Sequence, residues 1–402
     1  MRAAPGAQLP VEDIFGRDSF ISDLWRTLET NSARMEAERR IGKTSILNKM
    51  QAQPPAGWEP VLLDLEQVHS AAEFAEKVCE RVHERLTGWK RQGPRVQGLL
   101  GALGGTQVGP IRFPTREQQP AGYWKKLLTS AVEDLVEQQS AVGKRVVFLF
   151  DEMPWMVSAI AEPARDGAQT AMEVLDVLRS LRQSPATGQG FRMVLCGSIG
   201  MHHVLGSLRR QGYRNQPVND MELVEVPPLD PPVATELAAR LLTGEGINYE
   251  AAAPRIIAEQ TGGFPFYIHW VVSELRRGGG PATPADIDLV VKRLLTASHD
   301  PCSFRHFKDR IGEYYPNDER VALALLDHAA ASSAPLRQAE LVNVAKIAGA
   351  TDENRVRELL RLLAVDHYLY RDTDERYTFR HTLLRRWWVV EQGLSEGTED
   401  GE

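Results

Sequence analysis

Gly42-Lys43-Thr44-Ser45 is the stretch of this chain whose residue types and spacing could do the most specific chemistry. At the start of a helix, backbone N–H groups point outward and favour an anion. A lysine there reaches the β- and γ-phosphates of a nucleotide, and the threonine hydroxyl is a ligand for Mg²⁺. The surrounding "ERRIGKTS" also fits a solvated basic turn, so the motif alone leaves both readings open. The glycine expected five residues before Gly42 is absent, and Ala37 stands there. A glycine at that point permits a positive φ and a close approach of backbone to phosphate. Its absence predicts weaker binding or slower turnover.

A second, independent signal is Asp151-Glu152, about 107 residues after Thr44. The two carboxylates close "RVVFLFD", an apolar run that suits a strand covered on both faces of a parallel sheet. Carboxylates at the C-terminal end of such a strand sit on the ligand edge of the sheet. Asp151 is therefore a candidate Mg²⁺ ligand beside Thr44, and Glu152 a candidate to activate water. A third strand end, Gly197-Ser198 after "FRMVLC", offers Ser198 as a contact to the γ-phosphate or the attacking water. The competing reading is an ordinary strand-to-loop turn.

The elements that must position these groups follow from periodicity. "SARMEA" before the loop and "TSILNKMQ" after it predict strand and helix, and "PVLLDLE" a second strand ending near Asp64. Helices are expected over 70–86, 123–139 and 168–184. Residues 88–122, rich in Gly and Pro, read as a long excursion with a short hairpin around "TQVGPIRF". Strand, helix and strand in repetition imply an α/β domain with a parallel sheet. We place it at 1–228, followed by a small all-α domain at 229–300. A winged-helix-like domain at 301–392 rests on three helices and a hairpin around Asp372-Thr373-Asp374-Glu375, and 393–402 is an acidic tail expected to be disordered.

The whole chain sets further bounds. Its 402 residues suffice for two or three domains; 43% are hydrophobic and 25% charged, as in ordinary soluble proteins. A net charge of −7 does not advertise a nucleic-acid binder, although a local basic face would escape that sum. Cys79, Cys196 and Cys302 lack metal-ligand spacing and read as isolated thiols, Cys196 as a buried small hydrophobe. No signal peptide and no run of about 18 apolar residues is evident, so a cytoplasmic location and no membrane contact are expected.

Taken in order, "IFGRD", "ERRIGKTS", "VVFLFDE", "VLCGSIG", "TGGFPFYI" and "FRHTLLRRWW" resemble the archaeal-ATPase-like, origin-initiator-related proteins of the signal-transducing (STAND) branch of AAA+-like P-loop ATPases. The likeness covers most of the chain. It implies a P-loop NTPase sheet with helices on both faces, an all-α lid and a C-terminal winged helix. It implies ATP and Mg²⁺ bound between the α/β and helical domains. Gly16 and Arg17 would lie near the adenine. Arg40, Ile41, Gly42, Lys43, Thr44 and Ser45 would form the phosphate loop, and Gly263 and Pro265 of the Gly-Phe-Pro segment would sense the nucleotide. Members vary at the Ala37 position while keeping Arg-Arg-x-Gly-Lys-Thr, so ATP binding is expected to survive.

The function implied is a slowly hydrolysing ATP-dependent switch that controls assembly or a protein partner, as in a defence or conflict system. The rival is an initiator-like or mobile-element ATPase using its winged helix on DNA; a pseudo-ATPase scaffold is a third reading. The helix at 352–364 carries Arg355, Arg357 and Arg361 beside Glu353 and Glu358, a mixture poor for counterion-driven DNA binding. His202 and His203 should point about 100° apart on a helix, which argues against a shared metal. Arg209, Arg210 and Arg214 read as a solvated basic stretch, with a finger on a neighbouring subunit as the alternative. Trp387 and Trp388 read as docking a terminal helix on its own domain.

Overall fold

Five short strands build the parallel sheet that the apolar runs predict: β1 (Ala33–Glu36), β2 (Trp58–Asp64), β3 (Arg145–Asp151), β4 (Phe191–Cys196) and β5 (Glu222–Glu225). The computed structural model describes residues 1–86, 93–103, 113–162, 166–197 and 200–394. The sheet order is β2-β3-β4-β1-β5. β3 is an interior strand, apolar from Val146 to Phe150 as suits a sheet covered on both faces, and from Val146 to Asp151 every residue is buried. Its register sets Asp64 of β2 beside Asp151. Most of the expected hairpin near residues 106–113, Ser198, and the tail from residue 395 lie outside the described residues.

The chain divides into two compact units. One comprises Arg17–Glu36 and Lys43–Val226, and holds the whole sheet. Its helices are α1 (Asp18–Thr30), α2 (Lys43–Ala52), α3 (Ala71–Arg85), α4 (Pro94–Ala102), α5 (Tyr123–Ser140), α6 (Met153–Ala161), α7 (Gly167–Gln183) and α8 (Met201–Arg210). Phe74, Phe148, Phe150, Phe191 and Leu175 pack into one core with Tyr123. α4 departs from the loop expected over 88–122. Its Val96 and Leu100, four apart, are buried, and its N-terminus is capped from another helix. The Asp134 carboxylate on α5 accepts from the Arg95 and Val96 backbone N–H groups at 3.1 and 3.0 Å and from Arg95 Nη1 at 2.9 Å. A cap supplied from so far along the chain leaves no local signal.

The other unit comprises Met1–Gly16, Ala37–Gly42 and Pro227–Glu402. It holds α9 (Pro231–Gly244), α10 (Ala253–Gln260), α11 (Pro265–Gly278), α12 (Pro284–Thr296) and α13 (Arg305–Tyr314). α14 (Glu319–Ala331), β6 (Leu336–Arg337), α15 (Gln338–Ile347), α16 (Glu353–Val365), β7 (Leu369–Arg371), β8 (Arg376–Phe379) and α17 (Thr382–Gln392) follow. The three strands pair antiparallel in the order β6-β8-β7. The hairpin turns at Asp372, whose carboxylate accepts from the N–H groups of Asp374 and Arg376 at 2.9 and 2.8 Å.

α17 docks as the tryptophans predict. Trp388 is fully buried and donates its indole N–H to Asp327 at 2.7 Å, and Trp387 stacks on Phe304. Among the described residues no helix is long and apolar enough to cross a membrane.

Candidate nucleotide site

In the sheet unit the site is built from α2, the end of β3 and the end of β4. Lys43 is the first residue of α2 and is buried; Thr44 and Ser45 complete its first turn with their side chains less covered. The Thr44 hydroxyl donates to the Asp151 carboxylate at 2.7 Å. Asp151 also accepts from the Glu152 backbone N–H at 3.2 Å and from the Cys196 thiol. Burial pushes the Asp151 carboxyl above the ordinary carboxylate range; the Thr44 hydroxyl opposes this, Glu152 adds to it, and Cys196 and Lys43 oppose it.

Glu152 adopts φ 55° and ψ 31°, a left-handed backbone unusual for a non-glycine residue, and caps α6. Such strain persists only where neighbours fix it. Here the Glu152 carboxylate lies against the bare Cα of Gly197, where an added Cβ would come 3.5 Å from Oε2 and 2.5 Å from Pro154. The polar contact at the end of β4 is made by Cys196, read from sequence as a small hydrophobe. Its thiol is buried beside Asp151 and held well above the usual thiol range by burial and by that carboxylate. Only its place at a strand end, next to another strand ending in a carboxylate, could have signalled this. Ser198 lies outside the described residues.

The remaining candidates, Arg17 apart, fall in the other unit. Ile41 is fully buried, and Gly42 has φ 101° with open space where a Cβ would project. The left-handed position preceding Gly42 falls on Arg40, at φ 72°; Ala37 does not adopt a positive φ. The missing glycine therefore removes no conformation that this loop uses. Gly16 (φ 72°) and Gly263 (φ 74°) both abut Leu229: a Cβ on Gly16 would meet its Cδ2 at 3.1 Å, and one on Gly263 its carbonyl oxygen at 2.4 Å. The Leu229 N–H donates to the Gly263 carbonyl at 2.9 Å, and Pro265 opens α11. Leu229, absent from the sequence expectations, is thus the shared neighbour of both glycines. Arg17 belongs to the sheet unit, is buried, and accepts the Ile21 N–H at its carbonyl.

Arg209, Arg210 and Arg214 are exposed, as a solvated stretch would be. The His202 and His203 rings lie 4.2 Å apart, closer than a 100° separation suggests, because the two imidazoles turn towards each other. On α16, Arg355 pairs with Asp318, Arg357 with Glu353 at 3.0 Å and Arg361 with Glu358 at 2.7 Å.

The residues present fit ATP and Mg²⁺. A hydroxyl and a carboxylate held 2.7 Å apart form an all-oxygen donor pair of the kind a hard divalent cation takes. The open face of Gly42, just before a helix N-terminus with a lysine, suits a phosphate.

No family model and no curated protein matches the chain. Solved structures do. The Walker-type ATPase of Pyrococcus abyssi superposes with a TM-score of 0.65 at 18% identity, over 94% of this chain and 96% of that one. The ORC2 protein of Aeropyrum pernix, solved in ADPNP and ADP complexes, gives 0.51 at 10% identity over 97% and 96%. The likeness is one of fold: a P-loop NTPase parallel sheet with helices, followed by a helical C-terminal portion.

Proposed function

We propose that the chain binds ATP·Mg²⁺, hydrolyses it slowly, and acts in the cytoplasm as a nucleotide-dependent switch governing self-assembly or a protein partner. The Thr44–Asp151 hydrogen bond carries this reading, because it joins the two halves of the motif at metal-site distance. Lys43 grips the phosphates, Thr44 and Asp151 hold the metal, Glu152 orients water and Ser198 contacts the γ-phosphate. Bound Mg²⁺ would neutralise charge on the phosphates. The likeness in fold to ATPases, one of them solved with ADPNP and ADP, supports nucleotide as the ligand.

The test is thermal unfolding with and without ATP·Mg²⁺, for the parent and for Lys43→Ala. Nucleotide at about 100 times its Kd should stabilise the parent by about 2.7 kcal/mol. An unchanged parent midpoint at saturating nucleotide sinks the proposal. Glu152→Gln should keep the shift and lose turnover.

The DNA-binding alternative draws on the likeness to an origin-recognition protein. The pairing of every α16 arginine with a carboxylate weighs against it. A steep salt dependence of DNA binding, altered by nucleotide, would reverse that preference.

A further inference from the structure

Three consecutive side chains of the phosphate loop, Glu38, Arg39 and Arg40, are each held by a residue more than two hundred positions away within the same compact unit. The Glu38 carboxylate, its side chain only 3% exposed, lies 3.1 Å from Arg380 Nε. Arg380 is itself fixed, since its backbone N–H donates to the Tyr368 carbonyl at 2.9 Å. Arg39 Nη1 lies 3.0 Å from His306 Nε2 on α13. Arg40 donates from Nη2 to the Ser303 hydroxyl at 3.1 Å, and its guanidinium sits 4.5 Å above the Phe266 ring in the first turn of α11.

A carboxylate as buried as Glu38 is tolerated only with a cation beside it, and Arg380 supplies one. Arg40 has a left-handed backbone without being glycine, and such a residue stays there only when its surroundings over-determine it. A planar guanidinium stacked on one face and hydrogen-bonded at its edge is a means of doing so. Its side chain is thereby engaged with Ser303 and Phe266, which argues for a part in shaping the loop more than in gripping phosphate.

We infer that Arg380, Ser303 and Phe266 are positioning residues for the nucleotide: acting through Glu38 and Arg40, they hold the loop that leads directly into Lys43. Nucleotide affinity then depends on residues of the C-terminal region that do not touch the nucleotide. The inference rests on the proposed ATP binding, so its test includes a readout that needs no nucleotide.

Arg39 and Arg40 are themselves trypsin sites. In the nucleotide-free full chain, Arg380→Gln should speed cleavage after Arg39 and Arg40 by at least about tenfold, because proteolysis follows the population of the released loop. The same variant should weaken ATP·Mg²⁺ binding by about tenfold or more, and the charge-swapped pair Glu38→Arg with Arg380→Glu should recover both properties relative to Arg380→Glu alone. Ser303→Ala with Phe266→Leu, which leaves the ion pair intact, should weaken binding in the same direction and guards against misfolding of the Arg380 variants. Unchanged tryptic cleavage in Arg380→Gln overturns the latch. Faster cleavage with unaltered ATP affinity overturns its role in nucleotide positioning. A parent that shows no ATP shift but a latch-dependent cleavage rate would count against ATP binding alone.

Discussion

The Thr44 hydroxyl donates to the Asp151 carboxylate across 2.7 Å, tying the first turn of α2 to the last residue of β3. Thr44→Val keeps the side-chain shape and removes the donor. It should cost about 1 kcal/mol of stability. It should also abolish the Mg²⁺-dependent part of nucleotide stabilisation, whereas Thr44→Ser should retain it. Thermal midpoints in ATP with Mg²⁺ and in ATP with EDTA make the comparison.

Cys196 supplies a third donor to the same buried carboxylate, after the Thr44 hydroxyl and the Glu152 backbone N–H. Replacing it by valine leaves Asp151 one partner short at little change in volume, a loss of roughly 1–3 kcal/mol. Serine restores a donor and should recover much of that. Equal denaturant midpoints for Cys196→Val and Cys196→Ser would show that the thiol acts only as filler.

Gly263 combines φ 74° with a Leu229 carbonyl oxygen 2.4 Å from where a Cβ would sit. Gly263→Ala should destabilise the C-terminal unit by roughly 1–3 kcal/mol from backbone strain alone, before the clash is added. Gly278→Ala, near the end of α11 with nothing within 4 Å, should be neutral or stabilising. Urea unfolding of the two variants side by side reads the difference.

Two buried histidines, His269 and His381, and the half-buried His306 set an acid limit. Burial lowers His269 and His306 to about 4 and His381 to about 3. Neutral Nδ1 atoms accept backbone N–H groups, from Ala4 at His269 and from Leu383 and Leu384 at His381. The unfolded chain, with imidazoles near 6.5, binds more protons than the folded one below that pH. The stability they contribute is therefore complete above about 6.5 and drains away as pH falls towards 4 and 3. His381→Asn, a cap that does not titrate, should flatten part of the decline in thermal midpoint between pH 6.5 and 4; an unaltered slope would remove His381 from the account.

Much of this was legible from sequence because it is local. The run from Val146 to Phe150 must be a buried strand wherever it falls, and a carboxylate pair closing it must sit at a sheet edge. Gly42-Lys43-Thr44 opens a helix on the strength of its own residues. What contiguity cannot reveal is which distant group completes a site. α4 depends on Asp134, the Cys196 thiol matters only because β4 ends beside Asp151, and Gly16 and Gly263 become one feature only through Leu229.

The loop itself divides along the same line. Sequence alone determined that Lys43 and Thr44 begin a helix that could grip phosphate, because helix starts are written in neighbouring residues. Only the tertiary structure decided that Arg40, and not Ala37, takes the left-handed turn. That outcome depends on a ring at Phe266, a hydroxyl at Ser303 and a guanidinium at Arg380 arriving at the loop from far along the chain.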